Sequence, residues 1–198
     1  TARSLDFVRD ARARGARVTC EVTPHHFALT AEAVGEFDTN ATMNPPLRTA
    51  ADRDALLAAI TDGTIDCIAT DHAPHHPDEK AEPFDQAPFG VIGLETSLAV
   101  SLAELVETGR IELSRLLELM SAAPARIFGL GRGTLVVGAP ADVVCFDVAD
   151  WTVDPLDFHS KARNSAFSGR RVRGRVAATV LAGKITFRAG ETPGAETS

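Results

Sequence analysis

An α/β chain in two parts, a parallel sheet or barrel followed by a small all-β unit, is the fold class that three observations predict. Over residues 1–130, apolar strand-like runs alternate with segments whose apolar residues recur at helical spacing. Polar and titratable residues gather in the loops that follow the strands. Over residues 131–188 the pattern shortens to brief apolar runs broken by glycine and proline.

Each element follows from its residues. Leu5, Val8 and Ala11 share one face of a first helix, and Gly15 stands where a helix stop is expected. Residues 17–22 alternate polar and apolar as a strand, which Pro24 ends, and a short helix is expected after Thr30. A brief strand over 41–43 leads through Asn44-Pro45-Pro46-Leu47-Arg48 into a helix from Thr49. There Thr49 and Asp52 resemble a capping box, Leu56, Leu57 and Ile60 supply the buried stripe, and Gly63 is the stop. Residues 65–70 are an apolar strand ending in Asp71-His72-Ala73-Pro74-His75-His76. Leu94, Leu98, Leu102, Leu105 and Val106 mark another amphipathic helix, and Ser114 is placed to cap the next. The β unit comprises Gly133-Thr134-Leu135-Val136-Val137-Gly138, residues 141–147 and residues 173–188; the tail, 189–198, reads as disordered.

Bulk properties remove several function classes. With 198 residues and 44% hydrophobic composition the chain can bury a sizeable core. A net charge of −7 without a basic cluster interleaved with aromatics argues against nucleic acid or an anionic membrane as partner. No run approaches a membrane span and no secretory signal is present, so a cytoplasmic location is expected. Cys20, Cys67 and Cys145 are odd in number and lie within strand-like runs, as buried reduced thiols do.

The chemistry concentrates where strands end. His25, Asn44 and Asp71 each follow an expected strand, which would aim three polar side chains at one rim. Pro74 and Pro77 make a helix through residues 71–76 improbable, so these residues form a loop. If Asp71 faces a barrel axis, Cys67 and Ala69 do so too, and Ile68 packs under the helices. On spacing alone Asp71 is either a metal ligand or proton-transfer group, or a carboxylate capping its own loop. His25 and His26 fit hydrogen-bonded rim residues, and Asn44 before two prolines fits a turn former.

Glu21-Val22-Thr23-Pro24-His25-His26, Met43-Asn44-Pro45-Pro46-Leu47-Arg48, Ala69-Thr70-Asp71-His72-Ala73-Pro74-His75 and Pro88-Phe89-Gly90-Val91-Ile92-Gly93-Leu94-Glu95-Thr96 occur in order. With Gly138-Ala139-Pro140-Ala141-Asp142-Val143-Val144 and Ser160-Lys161-Ala162-Arg163-Asn164, the set resembles the type I-like dihydroorotases of the amidohydrolase superfamily. The resemblance implies the C-terminal part of a (β/α)8 TIM-type barrel over 1–130, its last three strand–helix cycles, plus a small sandwich-like β domain over 131–188. It implies reversible opening of the cyclic amide of (S)-dihydroorotate to N-carbamoyl-L-aspartate in pyrimidine biosynthesis, with one or two Zn2+ ions. Asp71 matches the catalytic aspartate that binds metal and carries the proton. Asn44, His75, Phe89 and Gly90 match substrate contacts, His75 through the substrate carboxylate; His25 and His26 match no metal-binding motif, and His72 and His76 receive no role.

The resemblance also implies metal ligands upstream of the matched region: a paired His-x-His, a bridging acid or carboxylated lysine, and two further histidines. Thr1 matches the threonine of a His-x-Ser-Thr motif. A full barrel takes about 250 residues, so this chain is expected to be the C-terminal part of a longer polypeptide and inactive by itself. The parent is expected to be a homo-oligomer. Hydantoinase- or allantoinase-type activity is the neighbouring alternative. A non-catalytic scaffold subunit for aspartate carbamoyltransferase is the alternative of another class.

Overall fold

The structure, a computed structural model, describes residues 1–190. Helix α1 (Ala2–Ala13) begins where the Thr1 hydroxyl accepts from the Ser4 amide and buries Leu5; beyond its end, Gly15 takes φ +84°. Strand β1 (Glu21–Val22) pairs in parallel with β2 (Cys67–Ile68), Glu21 opposite Cys67 and Val22 opposite Ile68. Between them lie α2 (Pro24–Ala28), 3-10 turns at Ala31–Val34 and Thr39–Ala41, and α3 (Ala50–Thr61).

The expected strand over 17–22 is paired only at its end. At residue 20 the ladder is partly replaced by a side chain: the Cys20 amide donates to Asp66 Oδ2 at 2.7 Å, and the Arg12 guanidinium binds the same carboxylate. Arg12 also donates to the carbonyls of Val18 and Thr64, fixing the end of α1 across both strand approaches. At 41–43 the expected strand gives way to the 3-10 turn, which Asp38 closes by accepting from the Asn40 amide. The one sheet-like contact there is Gly90 N–H to Thr42 O at 2.9 Å. Among the described residues the parallel sheet therefore has two strands, and the middle one of the three expected strand–helix cycles has no strand.

Helix α3 follows its sequence closely. The Thr49 hydroxyl accepts from the Asp52 amide and donates to the Asp52 carboxylate, whose other oxygen accepts from the Ala2 amide. The cap thus also fastens α1 to α3. Leu57 and Ile60 are buried, Leu56 is partly so, and Gly63 takes φ +82°. After β2 come α4 (Pro77–Lys80), α5 (Ser97–Ser101) running into a π-turn at Leu102–Val106, α6 (Leu113–Leu117) with a π-turn at Glu118–Ala122, and α7 (Ala123–Ile127). Leu94 lies ahead of its expected helix and is exposed, because the turn at 93–94 is pulled onto His72 instead. Ser114 lies inside α6, which Glu112 precedes as the capping position.

Strands β3 (Val143–Thr152), β4 (Arg171–Leu181) and β5 (Lys184–Arg188) form an antiparallel sheet in the order β3-β4-β5. Val153 and Val172 join one apolar cluster with Phe27, Ile60, Ile68, Leu105, Leu116 and Leu119. Gly174 makes that approach possible: a Cβ there would stand 2.3 Å from Leu102 Cδ1. Of the three thiols, Cys67 is buried and Cys20 half-buried, whereas Cys145, on the β3 sheet rather than in the core, is exposed, against expectation. The Ala189 amide still donates to Ala177 O, and the remainder of the expected disordered tail, 191–198, lies outside the described residues. No helix among the described residues is long and apolar enough to cross a membrane.

Candidate active site

An open cavity of about 420 Å3 lies where β1 and β2 end, lined among others by Glu21, Thr23, His26, Asn44, Arg48 and Asp71. Two residues singled out from sequence, Asn44 and Asp71, therefore meet at one concave surface. The Asn44–Pro45 peptide is cis. Asp71 lies three residues beyond β2 with φ +47°, in the left-handed region that non-glycine residues enter rarely. Strand alternation therefore stops short of it, although Ile68 packs into the core as that alternation predicts. Half of the Asp71 side chain is exposed, 51%, so its carboxylate is available to a solute.

His25 and His26 divide between support and the site. His26 is bound at both ring nitrogens, Nδ1 to the Thr23 hydroxyl at 2.6 Å and Nε2 to Pro45 O at 2.9 Å, so it braces the Asn44 turn. His25 is 1% exposed, and its Nε2 has no hydrogen-bond partner among the described residues; Asp71 Oδ2 lies 4.0 Å away. Burial, and secondarily the neighbouring His26, push the His25 pKa down from its ordinary 6.5 to about 3.

That depression fixes a pH dependence. The unfolded chain takes up a proton at His25 below the ordinary histidine value, while the folded chain does so only near 3. Between those limits the unfolded state binds more protons, so stability falls as pH falls. At 1.36 kcal/mol per unit, this group is expected to remove up to about 2 kcal/mol between about pH 6.5 and 5. Urea midpoints across that range should show the slope in the natural chain and lose most of it in His25→Gln.

His75, Phe89 and Gly90 do not line the cavity; they form an arch beside it. The isolated parallel bridge of His72 with Val91, and the Ala73 amide donating to Val91 O, lay the segment 89–91 along the loop after β2. His75 Nε2 stands 2.9 Å from Phe89 O, and Phe89 itself is exposed. Since a carbonyl only accepts, Nε2 carries the proton. On the other side of the ring, Nδ1 faces Glu79 Oε2 at 3.5 Å. The two histidines left without a role have structural ones. His72 Nδ1 accepts from the amides of Gly93 and Leu94, and His76 caps α4, accepting from the Asp78 amide while Glu79 takes the His76 amide.

Two residues that sequence reasoning passed over complete the arch. Lys80 and Asn164 are 6% and 3% exposed, and both bind the carbonyl of Gly90. Asn164 fell within a quoted motif, but nothing in its neighbours signals the contact. A lysine after Pro77-Asp78-Glu79 reads as solvated surface.

The chemistry available is that of a half-exposed carboxylate at a cleft, an amide beside it, and an imidazole on a backbone arch. Among the described residues no group of three or more His, Cys, Asp or Glu side chains is placed to hold a metal ion.

Residues 2–186 match the model of the Amidohydrolase family, and the chain belongs to that family. Among curated relatives, a dihydroorotase from Geobacter sp. is 55% identical over 191 residues, 96% of this chain and 45% of that protein. A dihydroorotase from Anaplasma phagocytophilum is 50% identical over 190 residues, 96% of this chain and 42% of that protein. Among solved structures, the L-hydantoinase (dihydropyrimidinase) of Arthrobacter aurescens superposes with a TM-score of 0.89 at 31% identity, over 96% of this chain and 44% of that one. The D-hydantoinase of a Thermus species gives 0.87 at 28% identity, over 94% and 43%. The chain spans less than half the length of these relatives.

Proposed function

We propose that this chain provides part of a dihydroorotase active site, for the reversible opening of dihydroorotate to N-carbamoyl-L-aspartate. The observation that carries the reading is the meeting of Asp71 and Asn44 at one cavity with the His75–Phe89 arch beside it, in a chain 50–55% identical to curated dihydroorotases. In this reading Asp71 takes the proton of the attacking water and returns it to the departing ring nitrogen, so that nitrogen leaves as a neutral amide rather than an anion. Asn44 holds the substrate through its amide. The His75 ring, its Nε2–H given to Phe89 O, meets the substrate carboxylate through Nδ1, which has to carry a second proton to donate there and so makes the contact charge-assisted; the backbone at Phe89 and Gly90 meets the substrate ring.

The cofactor that goes with this activity is zinc, and Asp71 is the residue here that would serve it. Zinc sites take three or four protein ligands, whereas the described residues bring no such group together. By themselves they do not fit a resident zinc ion, and the roles above are those of the side chains alone.

The reading extends to architecture and setting. Residues 1–130 would be the last part of a (β/α)8 barrel, and 131–188 a small sandwich-like β domain. Support for the latter is a three-stranded sheet on which Val144 and Leu181, placed on one face by the register of Val144 with Thr179, are both exposed, an apolar surface suited to burial against a second layer. A homo-oligomeric, cytoplasmic enzyme with aspartate carbamoyltransferase as its partner completes the proposal.

The test is a chimera in which this chain replaces the matching stretch of the Geobacter dihydroorotase. It is expected to open dihydroorotate with a kcat/KM at least about tenfold above that for hydantoin, the size of one hydrogen bond to a charged group. The opposite preference would favour the hydantoinase reading, which the solved-structure similarity keeps in view. A folded chimera that opens neither substrate would sink both.

A further inference from the structure

Helix α4 ends by carrying Lys80 into the protein. Its ammonium group donates to Pro88 O at 2.9 Å, to Thr42 Oγ1 at 3.1 Å and to Gly90 O at 3.2 Å. An ammonium has three N–H bonds, so every one is used, and all three acceptors are neutral. Burial pushes the Lys80 pKa down, with Asp38 acting weakly the other way. Such a charge is tolerated only because its hydrogen bonds are complete.

What those bonds hold is specific. Pro88 O and Gly90 O flank Phe89 O, which His75 Nε2 occupies. Three successive carbonyls, in a segment whose backbone pairing is limited to the bridge at Val91 and the Gly90 N–H to Thr42 O bond, are thus each tied to a side chain. Asn164 closes the arrangement from the far side. Its Nδ2 donates to Ala73 O and Gly90 O, both at 3.0 Å, and its Oδ1 accepts from the His75 amide at 3.3 Å. The His75 ring therefore stands between two backbone segments that Lys80 and Asn164 fix relative to each other.

We infer that Lys80 is a positioning residue for recognition of the substrate carboxylate: its ammonium holds the 88–90 arch so that Phe89 O orients the His75 imidazole. This rests on the reading of His75 and Phe89 as substrate contacts. Lys80 itself touches no substrate. Releasing it frees the arch, and the ring then has to be ordered at the moment of binding, which weakens affinity.

The experiment uses the 198-residue chain with 15N-labelled histidine and reads the ring resonances by NMR. In the natural chain His75 should show the Nε2-protonated tautomer, with that proton protected from exchange. Lys80→Met, which keeps the length and removes the donors, is expected to lose the protected signal, and Lys161→Met on the surface to retain it. Thr42→Val keeps the ammonium but removes one acceptor; ring N–H exchange should quicken about fivefold, the worth of one hydrogen bond. Added N-carbamoyl-L-aspartate should shift the His75 signals, with a half-saturation concentration about tenfold higher in Lys80→Met.

A Lys80→Met chain that melts earlier yet keeps the His75 tautomer and protection would overturn the inference, since a merely structural lysine predicts that result. Should Lys80→Met fail to fold, unchanged ring exchange in Thr42→Val does the same. If the signal is lost in Lys80→Met but the natural chain ignores carbamoyl aspartate, the substrate reading fails, and a substrate-positioning role for Lys80 falls with it.

Discussion

Replacing Asp71 by Asn in the dihydroorotase chimera is expected to lower kcat by about a thousandfold, with KM changed by less than about threefold. Asn is nearly isosteric, so the loop at φ +47° and the cavity should keep their shape; an Asn also tolerates that backbone region well. What it cannot do is accept a proton. In the proposed reaction the ring nitrogen must leave protonated, and the proton has to be stored between attack and departure. General acid–base groups supply roughly 100- to 10,000-fold, which sets the expected size. Initial rates in both directions, from dihydroorotate and from carbamoyl aspartate, measure it. The loss should be equal in the two directions, because the same carboxylate carries the proton each way. A variant retaining a third of the natural kcat would exclude Asp71 as the proton carrier.

His25 bears on the same step. Its orphaned Nε2 faces Asp71 Oδ2 across 4.0 Å, too far for a hydrogen bond. The imidazole is neutral throughout the physiological range because burial holds its pKa near 3. A neutral ring there gives the Asp71 carboxylate no counter-charge. Asp71 thus meets solvent and solute on one side and an uncharged, buried ring on the other.

How much of this was legible in the sequence depends on whether a residue's partners are local. The Thr49 cap and the Gly63 stop of α3 are written within a turn of the helix they bound, and both stand as read. Asp71 and Asn44 were legible as a pair because each follows a segment leading to one rim, even though 41–43 forms no strand. The strand failed because its ladder partner is not adjacent in sequence: Thr42 O is taken by Gly90, and local alternation cannot see that. Lys80 and Asn164 failed for the same reason, their acceptors lying in the 73 and 88–90 segments. His72 and His76 receive no role from the sequence. Backbone amides at 93, 94 and 78 claim their ring nitrogens, through turns whose geometry the spacing does not reveal.

Gly90→Ala is expected to raise KM in the chimera by about a hundredfold while kcat stays within about threefold. Gly90 sits at φ +136°, which side chains disfavour. An added Cβ would lie 2.6 Å from Ala73 Cβ and 2.9 Å from His75 Nε2, well inside the normal separation of about 3.5–4 Å. The backbone cannot easily retreat: Gly90 N–H is bound to Thr42 O, and Gly90 O to both Lys80 and Asn164. The movable group is the His75 ring, and moving it breaks the bond to Phe89 O that orients it. Binding of the substrate carboxylate should suffer, whereas Asp71, on the cavity side, keeps its place in the proton transfer. Loss of one charge-assisted contact plus its ordering is worth about 2–3 kcal/mol, or a hundredfold. Gly63→Ala is the control for backbone strain alone, with φ +82° but nothing within 4 Å of the added carbon; it should lower stability and leave KM unchanged. If Gly90→Ala instead lowered kcat at constant KM, the arch would belong to the chemical step, and His75 would have to be moved from substrate binding to catalysis.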